Sequence, residues 1–362
     1  MSIKVDSSVP IRSVPRLLIV GSFLPGFELE RYAGGALANR LMKVGGKVIT
    51  TSHVRSRPLR LIDMLWTTYK RRRDYDVAHI TVFSGLAFFY AECVARLLSF
   101  MGKPCTLGLH GGNLPDFASR HPARIARLFS QARLAVCPSG YLYEKLKPLM
   151  PDMHLIPNAI DVSKYPLNLR HPGGVRLLWL RAFHRIYNPM MAPAVLARLL
   201  ETMPQAQLTM VGPDKGDGSY EATRRAASEL GVLDRIRFAG PVPKESVAQV
   251  LSEHDIFLNT TNVDNTPVSV IEAMACGLPV VSTNVGGIPY LLEHGKTALL
   301  VQPGNVKEMA AAITRLVTDP DLAAQLRANG RKLAESFDWE VVLPQWCRLL
   351  NSIIPAPPLA NP

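Results

Sequence analysis

The sequence predicts an α/β protein built from two doubly wound domains that face a central cleft. Short apolar runs alternate with amphipathic helical patterns, and both halves of the chain repeat this plan. The stretch 161–174, rich in proline, glycine and polar residues, separates the halves. Such alternation is typical of parallel sheets with helices on both faces. Ligands of these sheets bind beyond the carboxyl ends of the strands, where two facing domains would leave a cleft.

Six apolar runs predict the strands of each half. In the first half they cover 17–20, 47–51, 77–82, 105–109, 134–136 and 153–156, with a helix at 34–44 after the first strand. In the second half they cover 175–180, 207–211, 236–239, 256–259, 280–283 and 298–301. We therefore expect domains at 1–165 and 166–339.

Composition indicates an ordinary globular protein, because 48% of the 362 residues are hydrophobic and 19% are charged. The five cysteines are scattered and odd in number, so we expect reduced thiols and a cytoplasmic location. The apolar run 17–20 is too short for a secretory signal. Glu92 and Arg96 interrupt the most apolar stretch, 80–101, so we expect no transmembrane helix.

The net charge of +12 belongs entirely to the first half. Residues 1–165 hold 23 of the 41 Lys and Arg but only 11 of the 29 Asp and Glu. Within them, Lys70–Arg73 follows an apolar segment that contains Trp66, which suggests that residues 57–73 contact an anionic inner-membrane surface. The alternative is a solvated helix end. We expect no nucleic acid partner.

The most informative stretch runs from Asp264 to Pro279. Thr266 suits a helix N-cap, Pro267 the first helical position and Gly277 the helix stop. The free N–H groups at such a helix start, here those of Val268 and Ser269, favour a diphosphate. Two carboxylates, on Asp264 and Glu272, can then hold hydroxyl groups on either side. The alternative is a capping box of Ser269 with Glu272.

These residues resemble the acidic–x7–acidic signature of retaining, family-4 type (group 1) glycosyltransferases. Other matching pieces follow in the same order over about residues 16–350: Gly34-Gly35, His110-Gly111, the segment 156–161, Arg181 and the segment 337–340. The resemblance implies the GT-B fold of two Rossmann-like domains, with the last helix, about 340–355, crossing back to the first. Asp264 departs from the usual glutamate, and the lysine expected after Arg181 is missing.

The resemblance also implies roles for individual residues. Arg181 would stabilise the departing diphosphate. Arg185 or His184 could supply a second donor, although neither stands at the position of the missing lysine. Glu272 would hold the ribose hydroxyls, and Asp264 would contact the transferred sugar. His110 would lie beside that sugar, and Gly34 and Gly35 would approach it or the donor phosphate closely. Loops that carry Gly212 and Pro241 would bracket the base; the alternative is that they are ordinary strand-end turns.

The expected activity is retaining, metal-independent transfer of a sugar from a nucleoside-diphosphate sugar to a glycan or lipid-linked hydroxyl acceptor in polysaccharide or cell-envelope biosynthesis. We expect no cofactor and no metal, because no D-x-D pair follows a strand and no spaced ligand set occurs. The main alternative is a non-catalytic GT-B scaffold that binds nucleotide or a partner enzyme. A GT-B epimerase or phosphorylase fits less well.

Overall fold

The computed structural model describes residues 15–24, 34–167 and 175–353. Part of the expected linker, 168–174, and the proline-rich tail from 354 therefore lie outside the described residues. The chain forms two compact units. The first consists of Met1–Pro138, Leu142–Pro157 and Glu340–Pro362, and the second of Ser139–Tyr141 and Asn158–Trp339.

The first unit is built on a parallel sheet of six strands in the order β2-β1-β3-β4-β5-β6. The central strands are almost entirely buried and apolar, as expected for a sheet covered on both faces. The strands are β1 (Leu17–Val20), β2 (Val48–Thr51), β3 (Val77–Val82), β4 (Cys105–Leu109), β5 (Leu134–Cys137) and β6 (Met153–Leu155).

Helices follow most of these strands, as a doubly wound topology requires. They are α1 (Gly35–Lys43), α2 (Arg57–Lys70), α3 (Leu86–Phe100), α4 (Leu114–Arg120), α5 (Pro122–Ser130) and α6 (Gly140–Leu146). Helices α2 and α3 pack against each other, and the Tyr90 hydroxyl donates to the Arg57 carbonyl oxygen at 3.2 Å.

The second unit repeats the plan with six parallel strands in the order β12-β11-β10-β7-β8-β9. Its core contains the large buried side chains of Trp179, Phe183 and Phe257. The strands are β7 (Arg176–Leu180), β8 (Gln207–Val211), β9 (Ile236–Gly240), β10 (Ile256–Asn259), β11 (Val280–Thr283) and β12 (Leu299–Val301).

The remaining helices belong mostly to this second unit. They are α7 (Met191–Leu200), α8 (Ser219–Glu229), α9 (Val247–Ser252), α10 (Val268–Ala275), α11 (Ile288–Leu291), α12 (Val306–Thr318), α13 (Pro320–Glu335) and α14 (Trp339–Ile353). From Glu340 onward, α14 is part of the first unit. The predicted fold class, an α/β protein with two doubly wound sheets, is confirmed.

Each sheet has a topological switch point, where consecutive connections leave in opposite directions. In the first unit β1 connects outward to β2, and β3 lies on its other side. In the second unit β7 leads to β8 and β9, and β10 lies on its other side. Open α/β sheets bind ligands at this position, beyond the carboxyl ends of the two strands. We therefore expect the ligand-binding residues on the loops after β1, β3, β7 and β10.

Candidate active site

Arg181 and Asp264 meet at the switch point of the second unit. Arg181 follows β7, Asp264 lies in the loop after β10, and the Arg181 Nη2 donates to the Asp264 carboxylate. The guanidinium also lies over the Tyr187 ring, 4.3 Å from its centroid. The Arg181 side chain is only 17% exposed, and burial lowers its pKa from the ordinary value. Arginine nevertheless stays charged at neutral pH, so a fixed cation stands at this strand end.

Gly212 lets the chain carrying Arg181 pass close to the end of β8. A Cβ at Gly212, whose φ is 147°, would stand 1.8 Å from the Arg181 carbonyl oxygen, so only glycine fits there. The Gly212 N–H donates to the Gly240 carbonyl oxygen at 2.9 Å. Pro241 comes directly after Gly240 and is exposed. The predicted pair Gly212 and Pro241 thus belongs to adjoining strand ends, with Gly212 directly against Arg181.

A second glycine pair, which the sequence analysis overlooked, holds the loop that carries Asp264. The Gly287 N–H donates to the Asp264 carbonyl oxygen at 3.0 Å. A Cβ at Gly286 would lie 2.3 Å from that oxygen, and a Cβ at Gly287 would lie 1.8 Å from the Asn265 carbonyl oxygen. The sequence feature that could have identified this pair is the occurrence of two adjacent glycines shortly after the apolar strand β11. Because of this close contact, the Asp264 backbone has little freedom to move.

Helix α10 starts next to this loop, but its cap differs from the predicted one. Pro267, not Thr266, is the N-cap: its carbonyl oxygen accepts from the N–H of Val270 at 3.1 Å, and its backbone is extended. The helix therefore begins at Val268. Gly277 has a φ of 77° just past its end, as predicted for the stop.

The start of α10 leaves donors that the protein itself does not satisfy. Within the described chain, the N–H groups of Val268 and Ser269 make no hydrogen bond. The Ser269 Oγ is buried and also lacks a partner there, as does the Arg181 Nε. Buried polar atoms are normally satisfied, so such groups at a switch point favour a ligand rich in oxygen atoms.

Glu272 lies on α10 and is almost fully buried. Its carboxylate accepts from the Tyr165 hydroxyl at 2.8 Å and from the Lys244 ammonium. The capping box considered as an alternative is therefore wrong, because this carboxylate faces Tyr165 and Lys244. Neither partner was singled out from the sequence. Tyr165 is separated from Glu272 by 107 positions, and no local pattern connects the two.

Arg185 occupies a single 3₁₀ turn, Arg185–Tyr187, after Arg181. Its side chain is exposed, and its N–H donates to the Asp217 carboxylate at 2.9 Å. Hydrogen bonds from Ser219 and from this N–H lower the pKa of Asp217 to about 2. His184 instead caps the turn, since its Nδ1 accepts from the Ile186 N–H at 3.2 Å. Arg185, a predicted second donor, therefore lies on an ordered turn with its side chain exposed to solvent.

In the first unit, Gly34 and Gly35 mark the start of α1. Gly34 is the N-cap with a φ of 79°, and a Cβ there would lie 3.0 Å from the Ile19 side chain and 3.2 Å from that of Thr81. Gly35 is the first helical residue and is buried. Gly34 therefore lies against strands β1 and β3 at the first switch point, with Gly35 next to it in the chain.

His110 directly follows β4, and its ring stacks on Phe83 with centroids 5.4 Å apart. Burial lowers the pKa of His110 to about 4 and that of the neighbouring core residue His79 to about 3. The His79 ring forms a hydrogen bond with the Thr106 hydroxyl at 2.8 Å, so His79 has a structural role in the core. At neutral pH His110 is uncharged, so it can exchange hydrogen bonds with a hydroxyl group but carries no positive charge.

Two further features concern the described residues alone. No cluster of three or more His, Cys, Asp or Glu side chains in that part of the chain is arranged to hold a metal ion. None of the helices described there is both long and apolar enough to cross a bilayer.

Residues 177–333 match the family model described as "Glycosyl transferases group 1". A D-inositol 3-phosphate glycosyltransferase of Corynebacterium jeikeium is 32% identical over 176 residues, which are 48% of this chain and 42% of that protein. A glycogen synthase of Mycobacterium tuberculosis is 29% identical over 279 residues, 74% of this chain and 65% of that protein. The chain thus matches about two fifths of the length of the first of these curated relatives.

Solved structures resemble almost the whole chain. Sucrose-phosphate synthase from Thermosynechococcus elongatus has a TM-score of 0.76 at 20% identity, covering 93% of this chain and 98% of that one. The Anabaena protein HepE, solved with UDP-glucose, has a TM-score of 0.73 at 19% identity, covering 93% and 99%. These likenesses show the fold. Residues 177–333, which match the group 1 glycosyl transferase model, contain Arg181, Asp264 and Glu272.

Proposed function

We propose that this protein is a retaining glycosyltransferase that moves a sugar from a nucleoside-diphosphate sugar to a hydroxyl acceptor, without a metal. The observation that carries the proposal is the buried Arg181 guanidinium at the switch point of a group 1 glycosyl transferase segment. Breaking the bond between a sugar and a diphosphate leaves negative charge on the phosphate oxygens. A fixed cation there stabilises the transition state more than the bound substrate.

The donor would bind to the second unit. The N–H groups of Val268 and Ser269, with the Ser269 hydroxyl, would hold the diphosphate at the start of α10. Glu272, oriented by Tyr165 and Lys244, would accept hydrogen bonds from the ribose hydroxyls. Structures of the fold neighbour HepE contain UDP and UDP-glucose, which supports a nucleotide-sugar donor for this fold.

The ion pair with Asp264 sets how Arg181 would work. Before the donor binds, the Asp264 carboxylate offsets the charge of the buried guanidinium. A diphosphate would share this guanidinium or displace the carboxylate, which would then be available for a hydroxyl of the transferred sugar. His110, uncharged at neutral pH, would hydrogen-bond to a hydroxyl of the same sugar. Gly34 and Gly35 would allow the backbone to approach it.

Retention of configuration would follow from displacement on one face of the sugar. The bond between the anomeric carbon and the phosphate oxygen breaks, and its electron pair stays on the diphosphate. The acceptor oxygen bonds to the anomeric carbon on that face, and its proton passes to the leaving phosphate oxygen. This route needs no carboxylate nucleophile, which agrees with the pairing of Asp264 with Arg181.

The proposed acceptor is a lipid-linked or polysaccharide precursor at an anionic, inner-membrane surface. Helix α2 supports this with four exposed apolar side chains at helical spacing, Leu59, Ile62, Trp66 and Tyr69. Lys70–Arg73 follows directly and supplies positive charge. Helix α3, packed beside α2, adds exposed Leu86, Phe89 and Phe100. Aromatic and aliphatic groups next to basic residues favour peripheral binding to anionic lipid.

A screen of purified protein against a panel of nucleotide sugars tests the proposal. We expect one donor to raise the melting temperature and to be transferred or slowly hydrolysed. Replacing Glu272 by Ala should remove the thermal shift, whereas Glu201→Ala, at an exposed surface position, should retain it. Binding without transfer or hydrolysis would instead indicate a nucleotide-binding scaffold. Absence of both binding and turnover over the panel would contradict both functions.

A further inference from the structure

A cavity of about 270 Å³ lies at the switch point of the first unit. Its floor is formed by the carboxyl ends of β1 and β3, and α2 and α3 supply its walls. The volume is close to the lower end of small-molecule sites, which begin at roughly 300 Å³. A cavity at this point of an open α/β sheet is where a ligand is expected.

The walls of the cavity are mainly apolar. Six of its lining residues are Val20, Met64, Ile80, Phe83, Ala87 and Ala91. The hydroxyl groups among the remaining lining residues already have partners within the protein. Thr81 donates to the Val20 carbonyl oxygen at 3.0 Å, and Tyr90 donates to that of Arg57 at 3.2 Å.

Ser22 is the third hydroxyl, and it accepts from the Arg60 guanidinium at 3.3 Å. Among the described residues, the cavity therefore presents apolar surface and satisfied polar groups, and none of its lining side chains is charged. Transfer of a polar ligand from water into this cavity would be unfavourable, whereas transfer of a hydrocarbon would be favourable.

The surroundings connect this cavity to the proposed reaction. Phe83 forms part of the wall, and its ring stacks on His110, which the proposed function assigns to the transferred sugar. On their outer faces, the same two helices carry the exposed apolar side chains, with Phe100 88% and Leu86 74% exposed. The cavity thus adjoins the residue assigned to the sugar, and the two helices that form its walls are also apolar on their exposed faces.

We infer that this cavity binds the hydrocarbon chain of the acceptor, which is an alkyl or isoprenyl phosphate or a glycan attached to one. The inference rests on the proposed function and deepens it by naming the acceptor class. Charge complementarity supports the phosphate. Arg57 begins α2 and exposes its side chain, and its backbone carbonyl oxygen accepts a hydrogen bond from Tyr90, which lines the cavity. A chain held between α2 and α3 would keep its anionic group at this basic edge.

Calorimetric titration of the full chain with decyl phosphate, below its critical micelle concentration, and with ethyl phosphate tests the inference. We expect decyl phosphate to bind and ethyl phosphate not to bind. Ala87→Phe, which fills the cavity, should weaken decyl phosphate binding at least tenfold. Ser99→Phe adds the same ring at an exposed position on α3 outside the cavity and should leave binding unchanged. The smaller Ala87→Leu should give an intermediate loss, which covers the case that Ala87→Phe fails to fold.

Equal binding of decyl phosphate to wild type and folded Ala87 variants would overturn the inference, because the chain would then lie on the outer helix faces. Absence of decyl phosphate binding would overturn it as well. Titration of the same variants with the nucleotide sugar separates this test from the proposed function. Ala87→Phe should bind the donor like wild type. If wild type binds decyl phosphate in the cavity but no donor, the proposed function fails and the cavity assignment stands.

Discussion

At the switch point of the second unit, a buried cation and a carboxylate, Arg181 and Asp264, face each other beside a helix start. At the switch point of the first unit, the corresponding space is a cavity with apolar walls and an uncharged histidine, His110, nearby. The two sheets share the same parallel, doubly wound plan. Their chemistry therefore comes from a few side chains at the strand ends and not from the fold.

On the outer surfaces of the two units the contrast in charge is reversed, because there the first unit carries the excess charge. The first unit holds nearly all of the excess positive charge and the exposed apolar stripes of α2 and α3, whereas residues 166–362 have no net charge. The exposed charges of the second unit are thus balanced, for example in the pairs Arg198–Glu201 and Lys296–Glu293, whereas the first unit has an excess of positive charge. This contrast suggests that the second unit recognises a charged small molecule and the first a large amphipathic one.

Removal of the Arg181 charge should give the largest effect. We expect Arg181→Ala to lower kcat for transfer by roughly 100- to 1,000-fold, as for loss of one donor that stabilises transition-state charge. Arg198→Ala, at an exposed arginine of the same unit, should change kcat little. Steady-state kinetics with saturating donor measures both. A kcat for Arg181→Ala within a few-fold of wild type would show that the Arg181 charge does not stabilise the transition state.

Neutralising Glu272 should weaken donor binding more than it affects the chemical step. Glu272→Gln keeps the shape but loses the charge, and we expect the donor Kd to rise roughly 10- to 100-fold, the range for a hydrogen bond to a charged group. Calorimetry with the donor and with the free nucleoside diphosphate measures it. Glu201→Gln is the surface control. Unchanged affinity would contradict the assignment of Glu272 to ribose.

The exposed stripe of the first unit should respond to a negative charge introduced at its centre. We expect Trp66→Glu to reduce binding to vesicles containing phosphatidylglycerol by about tenfold, because apolar burial and attraction to the anionic lipid are both lost. Leu230→Glu places the same charge at an exposed apolar position in the second unit and should have no such effect. Co-sedimentation at low and high salt measures binding. Equal binding of both variants would place the contact elsewhere.

Acid should destabilise the first unit in a defined pH window. The pKa values of His79 and His110 lie at about 3 and about 4, below the ordinary 6.5. Between about pH 6.5 and 4 the unfolded chain therefore binds more protons, and each such histidine lowers the free energy of unfolding by about 1.4 kcal/mol per pH unit as pH falls. Above about pH 6.5 both histidines are uncharged in the folded and the unfolded chain, so their titration no longer lowers the free energy of unfolding.

Urea unfolding at pH 7 and pH 5 tests this window. We expect wild type to be less stable at pH 5. His79→Gln, which keeps a hydrogen-bonding group near Thr106 but does not titrate, should lose less stability over the same interval. The same loss in both proteins would show that this buried histidine does not determine the acid sensitivity.

Much of the fold follows from the sequence, since apolar runs bounded by turn residues delimit strands. The predicted runs 17–20, 77–82 and 256–259 coincide with β1, β3 and β10. The stop of α10 at Gly277 was equally readable, because the position needs a positive φ. Its start was not: both Thr266 and Pro267 suit a helix entry, and local preference does not decide between adjacent residues.

Contacts between distant residues were the part that the sequence did not reveal. Tyr165 and Lys244 reach Glu272 only because the loops that carry them converge at the sheet edge. Gly286 and Gly287 matter through their closeness to the Asp264 loop, and no spacing rule relates them. The cavity in the first unit depends on how α2 and α3 pack, which hydrophobic periodicity does not specify.

A crystal structure of the full chain with a bound nucleoside diphosphate tests the central claim most directly. The account predicts phosphate oxygens within about 3 Å of the Arg181 guanidinium and of the N–H groups of Val268 and Ser269, the usual length of a charge-assisted hydrogen bond. It also predicts the ribose hydroxyls on the Glu272 carboxylate. A diphosphate bound anywhere other than at the start of α10 would contradict it.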